Sequence, residues 1–96
     1  MAMTVREKRV FRTALANEKH ANVIIGVIDG GSATALADAV EKTIKNAIGN
    51  DRVGANIVTA LETGSAVSAA GRLAFRKMIG DRNIADDIIT QIDALT

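Results

Sequence analysis

The chain has 96 residues, 12 basic and 11 acidic, with a formal net charge of +1. That length fits one domain, and the near-neutral balance does not favour a nucleic-acid partner. It has no cysteine, one histidine and two aromatic residues, Phe11 and Phe75, which excludes disulfides, thiolate or His-based zinc centres within the chain, and a base-stacking platform. No proline interrupts it, so nothing forbids helices. The start, Met1 to Arg9, becomes charged at once, without the apolar run of a signal peptide. The most apolar stretch, Val23 to Ile28, is far shorter than the ~20 residues that span a bilayer. An aqueous compartment and no membrane partner are expected.

Thr4 followed by Glu7 is a capping box and predicts a basic helix over about 5–16. Val10, Phe11, Ala14 and Leu15 fall on one side; Arg6, Lys8, Arg9 and Arg12 crowd the rest. These four cations read either as a solvated face whose stems cover the core edge or as a docking face for an acidic partner. Asn17 caps a second helix, to about Asp29, with His20 on its first turn and no second metal ligand near it in sequence. Val23, Ile24, Ile25, Val27 and Ile28 make its second half apolar nearly all round, which predicts burial. Gly26 inside that run suggests close approach of another helix.

Gly30-Gly31 ends this helix, and Ser32 caps the next. The Walker spacing is absent, so Gly-Gly-Ser reads as a turn and not a phosphate cradle. Leu36, Val40, Ile44 and Ile48 define a helix over Ala33 to Ile48, with Asp38–Lys42 and Glu41–Lys45 as i,i+4 pairs. Gly49 ends it, and Asn50 or Asp51 caps a helix to about Glu62. Gly64-Ser65 repeats the earlier junction before a helix from Ala66 to Ile79, with Val67, Ala70, Ala74 and Met78 as its stripe and Leu73 and Phe75 widening it. Asp81 caps a last helix over about 82–95, striped by Ile84, Ile88, Ile92 and Leu95.

The whole is an all-α, compact bundle of five or six short helices in a single domain, 1–96. Gly31-Ser32 echoes Gly64-Ser65, and Ala47-Ile-Gly-Asn-Asp-Arg52 echoes Met78-Ile-Gly-Asp-Arg82, at roughly the 33-residue period of helical-hairpin repeats. Two duplicated hairpins, about 18–49 and 52–80, fit that echo.

No residue cluster demands a particular chemistry, and no catalytic, metal-binding or cofactor-binding residue is assigned. A Gly-x-Ser-x-Gly elbow is absent. Asp81, Asp86, Asp87 and Asp93 do not have EF-hand spacing. Asn56 to Leu73 has the order of a helix-turn-helix, but its second helix opens with Ala66, Val67, Ser68, Ala69 and Ala70, which cannot read base edges, and leaves only Arg72, Arg76 and Lys77 for phosphates.

Residues 5 to 35 resemble the start of small structural proteins of tailed-phage particles, the head decoration (cement) and head-fibre proteins. The matching features are the basic run Arg6 to Arg12, the Ala14-Leu-Ala-Asn17 junction and the apolar helix closing on Asp29-Gly-Gly-Ser32. The resemblance implies a non-enzymatic virion subunit, made in the host cytoplasm. It would dock in many copies on capsid or neighbouring structural proteins through Arg6, Lys8, Arg9 and Arg12. The chain lacks the long extension of head-fibre proteins, which favours a decoration or head-tail accessory subunit. The alternatives are a small helix-turn-helix DNA-binding regulator or packaging factor, and a cytoplasmic helical adaptor for one protein partner.

Overall fold

Thr4 opens the first helix as the capping box requires. Its hydroxyl accepts the Glu7 N–H (3.1 Å), and the Glu7 carboxylate accepts the Thr4 N–H (3.0 Å). Five more helices follow in the computed structural model, which describes residues 2–96. The six helices are α1 (Val5–Leu15), α2 (Glu18–Gly30), α3 (Asp38–Ile48), α4 (Asp51–Thr63), α5 (Ala69–Ile79) and α6 (Arg82–Asp93). The fold is all-α, and the six helices share one core.

The repeat is threefold. α1 joins α2 through a two-residue turn: Ala16 in the left-handed region, then Asn17, whose side chain accepts the His20 N–H. Gly49-Asn50 joins α3 to α4 and Gly80-Asp81 joins α5 to α6 in the same way, with the caps accepting from Val53 and Ile84. Successive turns lie 33 and 31 residues apart. The hairpins are therefore α1–α2, α3–α4 and α5–α6, one helix out of frame with units at 18–49 and 52–80.

The equivalence reaches single bonds. A carboxylate near the end of each second helix accepts the backbone N–H two residues before the first helix: Asp29 from Met3 (2.8 Å), Glu62 from Leu36 (2.8 Å) and Asp93 from Val67 (2.9 Å). The core is built from triplets in the same register. Phe11, Ile44 and Phe75 are buried, as are Ile24, Ile57 and Ile88, and Ile28, Leu61 and Ile92. Each such side chain contributes about 1.5–3 kcal/mol by leaving water, against a few tenths for a surface ion pair, so these triplets decide the packing.

The hairpins close on themselves. α1, α3 and α5 pack on one another in all three combinations, and α4 packs on both α2 and α6. The Phe11 and Phe75 rings meet at 6.2 Å between the first and third hairpins. The end of the chain is tied in alongside: Thr96 N–H donates to Gly31 and Thr96 C=O accepts from Ala33.

Several local expectations are corrected. α3 begins at Asp38, not Ala33, because Ala33, Thr34 and Leu36 donate to Thr96 O, Leu61 O and the Glu62 carboxylate. Those long-range bonds keep the segment out of a helix, and Ser32 caps nothing. α5 likewise begins at Ala69: Ser68 is the cap, and Val67 and Ser68 donate to Asp93 and Asn56. Its buried stripe is Gly71, Phe75 and Ile79, one residue on from the expected one, so Ala70 is exposed and Leu73 is 61% exposed. α6 ends at Asp93, two residues early, although Leu95 is buried. Val23 is 44% exposed, and Gly26 faces open space and not a helix. The close approach lies elsewhere: a Cβ on Gly54 would sit 2.8 Å from the Lys45 Cα, so α3 and α4 touch backbone to backbone. Among the described residues, neither Asp38–Lys42 nor Glu41–Lys45 closes to 4.0 Å.

Candidate functional site

The four cations expected to form one docking face have different surroundings. Lys8 turns toward α2, with its Nζ 3.1 Å from the Asp29 carboxylate. Arg12 also turns to α2, where its Nε donates to the Asn22 side chain (2.7 Å). Arg6 and Arg9 are exposed. The helical angle explains the split: Glu7, Phe11 and Leu15 point into the core, Lys8 and Arg12 lie on the flank beside α2, and Arg9 points straight out. Two of the four thus hold a hairpin together, and two are presented to solvent.

The charge pattern extends well beyond α1. α1, α3 and α5 carry nine basic and three acidic residues, whereas α2, α4 and α6 carry three basic and seven acidic. A bulk charge of +1 conceals this partition. Part of it is spent within the hairpins, where Lys8 pairs with Asp29, Arg72 with Asp93, and Arg76 with Asp86 (2.8 Å). The Arg76 guanidinium holds the Asp86 carboxyl below the usual aspartate range. The remainder is outward: among the described residues no carboxylate lies within 4.0 Å of Arg6, Arg9, Lys42 or Lys77.

Three shallow grooves mark where the hairpins meet on this side. One lies between the α1–α2 turn and α3, one between the α3–α4 turn and α5, and one between α1 and the end of α5. Ala14, Ala47 and Met78, which occupy one register position in the three hairpins, each line two of them. The grooves are mainly apolar and small-residue, bordered by Arg9 and Lys77, and no carboxylate lines them. Leu73, the most exposed core-type side chain of α5, stands in the second. The surface is thus apolar at the centre and cationic around it.

A polar trio at the seam between α1 and α6 has no counterpart in the other hairpins. Glu7 is 6% exposed and Gln91 5%, and the Gln91 amide donates to the Glu7 carboxylate (3.3 Å). Asp87 stands on the solvent side of this pair; partial desolvation, then the neighbouring Glu7 and Asp86 carboxyls, hold its carboxyl above the usual range. The matching positions to Glu7 are Val40 and Gly71, and those to Gln91 are Val27 and Ala60. The apolar alternatives show that the trio is not required by the hairpin itself. Sequence reading assigned Glu7 to the capping box alone and gave Gln91 and Asp87 no shared role, since 84 residues separate Glu7 from Gln91.

The other candidates have structural partners. His20 Nδ1 lies 2.7 Å from the Thr43 hydroxyl, bridging α2 to α3. Asp81 caps α6, Asp86 and Asp93 hold arginines, and Asp87 faces Glu7, so the four aspartates serve four separate contacts. In the helix-turn-helix reading Arg72 and Arg76 would contact phosphates, but both are paired within the fold. The chain matches no protein-family model, and comparison with curated proteins and with solved structures gives no match.

Proposed function

We propose that the chain is a non-enzymatic structural subunit of a tailed-phage particle, a head decoration or head-tail accessory protein, that docks through the outer face of α1, α3 and α5. The observation that carries this reading is the charge partition: nine of the twelve basic residues sit on these three helices, and Arg6, Arg9, Lys42 and Lys77 point outward without a carboxylate partner among the described residues. An apolar centre rimmed by cations suits an acidic protein surface, where opposite potentials fix register and speed encounter. Arginine is the best interface anchor that this composition offers, and many weak contacts on a symmetric lattice add to firm retention. The chemistry-bearing side chains elsewhere are engaged in holding hairpins together, which suits a scaffold that must present a face.

The contact set differs from the basic helix alone. Lys8 and Arg12 belong to the α1–α2 hairpin and act through it, while Arg6 and Arg9 meet the partner. Charge reversal of both, Arg6→Glu with Arg9→Glu, should abolish co-sedimentation with particles and leave circular dichroism unchanged. Undiminished co-sedimentation removes the proposal. Salt-sensitive binding of duplex DNA by the wild-type chain, lost in the same variant, would instead favour the DNA-binding alternative.

A further inference from the structure

Leu73 departs from its equivalents in the other two hairpins. Residues 9, 42 and 73 occupy one exposed register position on α1, α3 and α5, and the first two are Arg9 and Lys42. A single exposed aliphatic residue is ordinary, but Leu73, 61% exposed, does not stand alone. It lines the groove between the α3–α4 turn and α5, where the half-buried side chains of Ile48, Val53 and Met78 also reach the surface. Ala47 and Ala74, on the same walls, are too small to fill it. The Asn50 side chain there is already engaged by the Val53 N–H (3.1 Å). The charged side chain that lines the groove is Lys77, one helical turn on from Leu73, and among the described residues no carboxylate lies within 4.0 Å of it. The matching walls on α1 and α3 are more polar, with Arg9 and Thr13 in one groove and Thr43 and Asn46 in the other.

We propose that this groove is the anchoring point of the docking face, and that it takes an aliphatic side chain of an acidic protein partner whose carboxylate meets Lys77. The proposal rests on the reading of α1, α3 and α5 as the docking face. Leu73 and Lys77 are four residues apart on one helix, so their Cβ atoms lie about 5–6 Å apart. The partner therefore presents an aliphatic group with a carboxylate at a similar spacing, as residues three or four apart on a helix do. Covering Leu73 with such a group removes from water apolar surface that the fold leaves exposed. The charges disfavour a second copy as the occupant, because a twofold pairing through one patch sets a cationic rim against the same cationic rim. The departure at residue 73 also orients the partner. Three equivalent hairpins present a similar groove three times, and only on α5 does an aliphatic side chain stand where the others carry a cation. An acidic surface with an aliphatic group thus gains its apolar contact in one register of the three.

Co-sedimentation of the full chain with particles, titrated to a Kd, tests this, with urea midpoints showing that each variant is folded. Leu73→Ala should weaken binding about five- to twentyfold, the scale of burying the exposed part of one leucine, and leave its salt dependence unchanged. Lys77→Gln should instead make binding less sensitive to salt. Leu73→Lys supplies the residue type of the other hairpins and adds a positive charge. It should weaken binding at least as much as Leu73→Ala, whereas a face that works by charge alone would bind more tightly. Leu73→Met keeps an aliphatic side chain of similar size and should bind like the wild type. Leu73→Lys binding as tightly as the wild type, or more tightly, overturns the anchor and leaves the docking face standing, and so does Leu73→Ala without effect. Self-association of the free chain that Leu73→Lys abolishes, seen by analytical ultracentrifugation, also overturns it, since a second copy would then cover the groove. A wild-type chain that does not sediment with particles removes the docking face and the anchor together.

Discussion

Ala16 has φ 55°, the only described non-glycine residue with positive φ, at a position occupied by Gly49 and Gly80 in the other two turns. An alanine there crowds its own carbonyl, whereas glycine does not. Ala16→Gly should stabilise the protein by about 0.5–1 kcal/mol after the entropy of the freer unfolded chain is deducted, seen as a higher urea midpoint with an unchanged slope. A lower midpoint would mean that the turn owes nothing to left-handed strain. This residue also shows what could be read in advance. Gly49-Asn50 and Gly80-Asp81 announced themselves by a glycine before a cap, and an echo was visible there. Ala16-Asn17 carries the same turn without the glycine, so the first hairpin went unrecognised as the third copy. Capping was legible at four of the six helix starts because its chemistry is local: Thr4, Asn17 and Asp81 bond as expected and Asn50 is the one of Asn50 and Asp51 that caps, whereas Ser32 caps nothing and Ser68 caps α5.

Among the helices, the positions left unread depend on contacts far along the chain. The starts of α3 and α5 are set by carboxylates 26 residues downstream, Glu62 and Asp93, which draw the preceding backbone out of helical geometry. Gly26 and Gly54 look alike in sequence, yet only Gly54 lies against another backbone. Gly54→Ala should therefore destabilise by about 1–3 kcal/mol, through overpacking against Lys45, in the same denaturation experiment in which Gly26→Ala does not. At the α1–α6 seam the sign of the pH response follows from Asp87. Its raised carboxyl contributes stability below the usual aspartate range and loses it as pH rises through the folded value. The Asp86–Arg76 pair acts oppositely: its contribution is present above the usual range and is lost as pH falls through the lowered value. The thermal midpoint should thus rise as pH falls through the raised Asp87 value toward the usual aspartate range, and fall again as pH drops below that range through the lowered Asp86 value. Asp87→Asn should raise the midpoint at neutral pH and flatten the rise on acidification. An unchanged pH profile in that variant would show that Glu7 and Asp87 are not coupled.

For the molecule as a whole, the helical class and shared core follow from branched aliphatic residues at helical spacing, and both were legible. Closure into three equivalent hairpins was not, because it depends on which helices meet around Phe11 and Phe75, and nothing in a linear pattern specifies that. The charge partition was hidden for the same reason. The cations of α1 looked like a local cluster until α3 and α5 were found beside it, with Lys42 and Lys77 carrying the positive surface across all three hairpins. Docking through this surface can be read directly by lysine acetylation of free and particle-bound protein, followed by mass spectrometry. Lys42 and Lys77 should lose reactivity on binding, while Lys19, exposed on α2, keeps it. Protection of Lys19 with Lys42 and Lys77 still reactive would contradict the account.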